Sequence, residues 1–141
     1  MMKCLYFLLF VAACQAYVAR VAEQIPTPTV TEFEVGYQLG FIRFLELEWN
    51  LVEHPEILGY RMTVWDQGSG DISNDQSKIF REVVVDASTT RAGVRDLQYD
   101  IWYLARVQAF TRTATSGWSD SRWVMFHTPR RDGRQSYTVM E

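Results

Sequence analysis

An all-β fold, a seven-stranded antiparallel β-sandwich, is what this sequence predicts. Three observations predict it. Apolar residues recur with period two rather than 3.6 from Thr27 onward, turn-forming clusters separate the runs, and no helical stretch interrupts them. The 141-residue length fits one domain, and 48% hydrophobic with 22% charged residues excludes a disordered chain. A net charge of -3 disfavours nucleic acid as a partner, because phosphate recognition needs a concentrated basic surface.

The strands follow in order. Phe33 and Val35 come after Pro26 and Pro28, which suits an edge strand. Leu45, Leu47 and Trp49 alternate with Glu46 and Glu48, the clearest half-buried pattern in the chain. Tyr60, Met62 and Val64 alternate with Arg61 and Thr63. Tyr103, Ala105, Val107 and Ala109 alternate with Leu104, Arg106, Gln108 and Phe110, and Val124 and Phe126 with Trp123, Met125 and His127. Shorter β-rich pieces lie at Val83 to Val85 and around Thr90 to Val94. The longest turn-rich interval is Asp66 to Ser77, read as a mobile connection; others fall at Ser88-Thr89 and Thr113 to Gly117.

The N-terminus reads as a secretory signal peptide over residues 1–16. Met1-Met2-Lys3 is a short positive start, Cys4 to Ala13 an apolar run too short to span a bilayer, and Cys14-Gln15-Ala16 a small-residue cleavage site. Cleavage removes Cys4 and Cys14, the only cysteines, so the product is expected to be secreted, free of disulfides and without a membrane span. Residues 17–25 read as a linker, 26–129 as the domain and 130–141 as a flexible polar tail.

The order of the large residues resembles the fibronectin type III family. Leu45-Glu46-Leu47-Glu48-Trp49 matches its second-strand pattern, and Ile57-Leu58-Gly59-Tyr60-Arg61-Met62 its third. Leu97, Tyr99, Ile101, Tyr103, Val107 and Ala109 follow its most specific stretch, with Tyr99 replacing a Pro and Ile101 a Thr, and Thr128-Pro129 closes the last strand. The resemblance implies a core of Leu45, Leu47, Trp49, Tyr60, Leu97, Tyr103, Val107 and Ala109. It implies that Trp49 fills the space between the sheets and that Tyr103 is a tyrosine corner bonded to backbone near Leu97. The implied role is a protein-binding or adhesion module without catalysis or cofactor. More faintly, a signal peptide followed by one such domain is similar to the host-protective oncosphere antigens of tapeworms, and Gly117-Trp118-Ser119-Asp120-Ser121 resembles half of the WSxWS box of cytokine receptors.

Chemistry-bearing motifs are sparse. His54 and His127 are distant in sequence and lie in no metal-binding pattern, and no Gly-rich loop opens a helix. Asp66, Asp71 and Asp75 share one loop and offer oxygen ligands for calcium, at spacings unlike an EF-hand; a calcium-dependent or enzymatic extracellular protein using this loop is the alternative. A structural surface protein without a dedicated ligand is another.

Period two places Arg61, Trp65, Leu104, Arg106, Phe110, Trp123 and Met125 on the sheet face turned away from the core. Aromatics with arginines are hot-spot side chains, so this face is the candidate site for an extracellular protein partner, on a monomeric domain. The competing expectation is self-coverage, with Trp118 and Trp123 stacked on Arg106 or Arg61. Charge is uneven: residues 21–75 hold ten acidic and two basic side chains, residues 76–141 seven and ten.

Overall fold

The computed structural model describes residues 24–70 and 76–141. The expected signal peptide, most of the linker, Asp71 and Asp75 therefore lie outside the described residues. Among the described residues eight strands are formed: β1 (Val30–Gln38), β2 (Ile42–Trp49), β3 (Gly59–Asp66), β4 (Ile79–Asp86), β5 (Arg91–Arg95), β6 (Trp102–Phe110), β7 (Arg122–His127) and β8 (Ser136–Met140). They make two antiparallel sheets, β1-β2-β5 and β4-β3-β6-β7-β8. Among the described residues no helix is long and apolar enough to cross a membrane.

The alternation read from the sequence sets what each strand buries. Leu45, Leu47 and Trp49 of β2 face Tyr60, Met62 and Val64 of β3 and Tyr103, Ala105, Val107 and Ala109 of β6 across a single core, with Leu97, Val124 and Phe126. All eight expected core residues belong to it. Trp49 packs on Tyr60 with ring centroids 5.4 Å apart, joining the sheets at the core's centre. The buried core draws its residues from Ile25 to Phe126, and the described strands run from Val30 to Met140.

Two expectations need correction. The tail is not frayed throughout. After a tight turn in which the Gly133 N–H bonds to the Arg130 carbonyl, Ser136–Met140 pairs with β7 as an eighth strand. The pattern Ser-Tyr-Thr-Val-Met already has strand periodicity, and the five-stranded sheet supplies an open edge for it. Ile25, assigned to the linker, is buried in the core, so the sandwich begins one residue before Pro26.

Tyr103 does form the corner. Its buried hydroxyl accepts the Gln98 N–H at 2.9 Å, in a segment whose ends, Asp96 and Asp100, both take a left-handed φ of 61°. Tyr60 does the same for the other connection that crosses toward β3, accepting the Val52 N–H at 2.8 Å. Gly59 is required by packing. A Cβ there would collide with the Val85 carbonyl oxygen and come 3.2 Å from the Phe110 ring.

Burial, ahead of the hydrogen bond from Gln98, leaves the Tyr103 pKa raised above its ordinary value of 10.0. The unfolded phenol therefore ionises first. Its contribution to stability is intact below pH 10 and declines as pH rises from there through the folded-state pKa. Tyr103→Phe should cost about 1–2 kcal/mol at neutral pH and flatten the alkaline loss of stability, read by urea unfolding from neutral to alkaline pH. Trp49→Ala should cost roughly 3–5 kcal/mol in the same assay.

Candidate functional site

The seven residues assigned to the outer face do share one side of the five-stranded sheet, but that side divides in two. At one end Trp65, Leu104 and Trp123 are buried in a second apolar cluster, with Trp102, Trp118 and Met140 packed against it. Trp118 meets Trp65 edge to face, centroids 4.9 Å apart and planes at 82°. These three residues are therefore unavailable to a partner in the folded domain, which corrects the assignment. Strand periodicity reports which side a residue occupies, not what the chain later lays across it.

The cover is itself built from sequence. Before β7 begins, residues 116–119 run beside β6, held at two serines. Ser116 Oγ accepts the Ala109 N–H at 2.9 Å and Ser119 Oγ the Val107 N–H at 3.0 Å. Their own amides return bonds to the same two residues' carbonyls, each 2.8 Å. This Ser-x-x-Ser anchor aims Trp118 onto Trp65. Both serines were missed as site residues; their spacing before the last strand was the available signal. Trp123 pairs with Met140, so β8 completes the cover.

The other end stays accessible. Arg61 lies over the Phe110 ring at 5.5 Å, so the expected aromatic stacking of arginine occurs here on Phe rather than Trp. Its Nη1 donates to Gln108 Oε1 at 3.3 Å, Gln108 in turn donates to the Ser116 carbonyl at 3.2 Å, and Glu82 lies 3.2 Å from Arg61 Nε. Val84, paired with Arg61 across β3 and β4, and Leu58, whose N–H bonds the Phe110 carbonyl, are each more than half exposed. Arg106 donates to Ser121 Oγ at 2.9 Å, and Met125 sits half-buried opposite Thr138.

The remaining candidates do not converge. Asp66 spends its carboxylate on the Gly68 N–H, 2.8 Å, and on Lys78, 3.0 Å. His54 accepts the Glu56 N–H, while His127 contacts the Thr138 hydroxyl on another strand. Among the described residues no three metal-ligating side chains come together.

Comparison with solved structures agrees with this architecture. The third fibronectin III domain of the human KIAA0343 protein is 21% identical, with a TM-score of 0.51 over 82% of this chain and 92% of that one. This chain has the fibronectin type III fold. Chicken CNTN1 domains FN1–FN3 give 18% identity and a TM-score of 0.51, covering 68% of this chain, which spans 29% of that longer one. No family model and no curated protein matches, so the likeness to the tapeworm antigens has no support there.

Within the fibronectin type III frame, β8 is an addition at the free edge beside β7, and the buried indoles depend on it. Ending the chain after Gln135 should expose Trp123 and lower the melting temperature by several degrees, with a red-shifted tryptophan emission. Trp65→Ala should cost roughly 3–5 kcal/mol in urea unfolding, the signature of a packed rather than a docking residue.

Proposed function

We propose that this protein is a secreted, non-catalytic binding module, and that it holds an extracellular protein partner on the open half of the outer face, around Arg61, Phe110, Val84 and Leu58. The observation that carries this reading is the state of Arg61. Its guanidinium is fixed over Phe110 and by Gln108 and stays partly exposed, with the exposed Val84 paired opposite it on β4. An arginine positioned in advance loses little rotamer freedom on binding, and arginine is among the side chains that hot spots favour. Arg106 and Met125 extend the patch toward β7.

The non-catalytic reading is supported by the general use of this fold for binding. Secretion rests on residues 1–16, whose cleavage after Ala16 should leave Tyr17 as the N-terminal residue of protein recovered from culture medium.

A partner isolated on the wild-type protein from the surrounding fluid should bind Arg61→Ala and Phe110→Ser at least tenfold more weakly, about 1.4 kcal/mol. The same variants should lose about 1 kcal/mol of stability, and Thr31→Ala on the opposite sheet should bind normally. Equal affinity in all three proteins would remove this face from the reading.

A further inference from the structure

A different surface lies at the end of the sandwich where β1 turns into β2. Leu39 and Phe41 flank Gly40 there and are 82% and 63% exposed. Leu39 takes a φ of 52° and Gly40 one of 79°, so both central residues of the Gln38–Phe41 turn, closed by the Phe41 N–H on the Gln38 carbonyl, are left-handed. That geometry favours Asn-Gly; a branched apolar side chain is a poor choice for it. The fold gains little in return, because the Leu39 side chain stands in water. A residue that breaks a local rule without a packing gain points to use outside the domain.

The turn between β7 and β8 is locked beside it. Gln135 Nε2 donates to the Gly40 carbonyl at 2.8 Å, Tyr37 Oη donates to the Ser136 carbonyl at 3.2 Å, and the Tyr37 and Tyr137 rings lie 6.5 Å apart. That second turn exposes Arg130, Arg131 and Arg134, with Asp132 the one acid among them, 4.0 Å from Arg134. Arg95 ends β5 nearby, opposite Phe44. Arg43 braces the hairpin from below, its Nε bonded to the Leu97 carbonyl and its guanidinium 4.0 Å over the Tyr99 ring. The acids at this end are Asp96, exposed beside Arg95, Asp132, and Asp100, whose carboxylate accepts the Thr128 N–H at 3.3 Å; Arg43, Arg95, Arg130, Arg131 and Arg134 outnumber them. The glutamates of β1 begin at Glu34, about 16 Å up the strand from Leu39 at the usual rise per residue.

We infer that this end docks on an anionic phospholipid membrane, with Leu39 and Phe41 entering the headgroup–acyl boundary and the arginines of the β7–β8 turn contacting headgroup phosphates. Both halves of the surface are needed by that occupant. An acidic glycan would use the arginines and leave the two apolar side chains in water. A protein partner would use the apolar pair without calling for an excess of basic side chains beside it. Apolar insertion beside a basic rim is the chemistry of interfacial binding.

The test is co-sedimentation with phosphatidylcholine vesicles carrying about 30% phosphatidylserine, against phosphatidylcholine alone. All samples begin at Tyr17, since the apolar run of residues 4–13 would itself bind lipid, and thermal melts confirm folding. Wild-type protein should bind the anionic vesicles and be released by about 0.5 M salt. Leu39→Asn with Phe41→Ser should weaken binding at least tenfold. Asn accepts a left-handed φ, so the melting temperature should hold or rise while binding falls. Alanine at Arg130, Arg131 and Arg134 should cost about fivefold for each charge and erase the preference for phosphatidylserine. Failure of the wild type to bind, or unchanged binding by the Leu39/Phe41 variant, overturns the inference. Retention on heparin or self-association in the absence of vesicle binding also overturns it, assigning the end to a glycan or to a second copy. Loss of the Arg61 partner leaves this result untouched, because the two surfaces share no residue.

Discussion

The sandwich depends on two buried phenols that each hold a chain segment crossing from one sheet to the other. Crossing segments leave the ladder, so their amides need partners the ladder no longer supplies. Tyr60 takes the Val52 amide between β2 and β3, and Tyr103 takes the Gln98 amide between β5 and β6. Each hydroxyl sits at the end of a ring already fixed in the core, so the bond adds little ordering cost. With no cysteine among the described residues, these two points and the Trp49–Tyr60 contact tie the layers where a disulfide would otherwise lie.

The five-stranded sheet carries apolar layers on both sides, an unusual arrangement for an antiparallel sheet that could leave one side to water. Its second layer is small, three buried residues roofed by Trp118, Trp102 and Met140, and it is assembled from the segments flanking β7. The cost is that half of a potential binding face is consumed. The other half, with Arg61 on β3 and Phe110 on β6, is left open. The opposite sheet shows another solution: its outer side sets Glu32 against Glu48 and Glu34 against Glu46, and Arg91 reaches both Glu34 and Glu46 to relieve the repulsion. Four glutamates of the first half of the chain thus share one side of the domain, while Arg95, Arg130, Arg131 and Arg134 of the second half lie near one end.

The free edges are guarded unequally. Charges stand on β1 (Glu32 and Glu34), on β5 (Arg91 and Arg95) and on β4 (Arg81, Glu82 and Asp86). β8 carries none within its span, and Tyr137 and Val139 remain partly exposed on it. Its protection is brevity, five residues between a tight turn and Glu141.

Local chemistry alone determined the layers. Leu45-x-Leu47-x-Trp49 and Tyr103-x-Ala105-x-Val107-x-Ala109 alternate strictly, and a one-residue slip would turn every apolar group to water, so fold, register and core follow from the sequence. The spacing of Leu97 to Tyr103 likewise carried the corner, since a phenol and the amide that donates to it, five residues away, are nearly local. Contacts between distant segments were not legible. Alternation names two sides of a sheet but not what covers either, so the burial of Trp65, Leu104 and Trp123 appears only once residues 116–119 and β8 are folded over them. The left-handed Leu39 was equally hidden, because its turn geometry is imposed by the pairing of β1 with β2 and not by the residue itself.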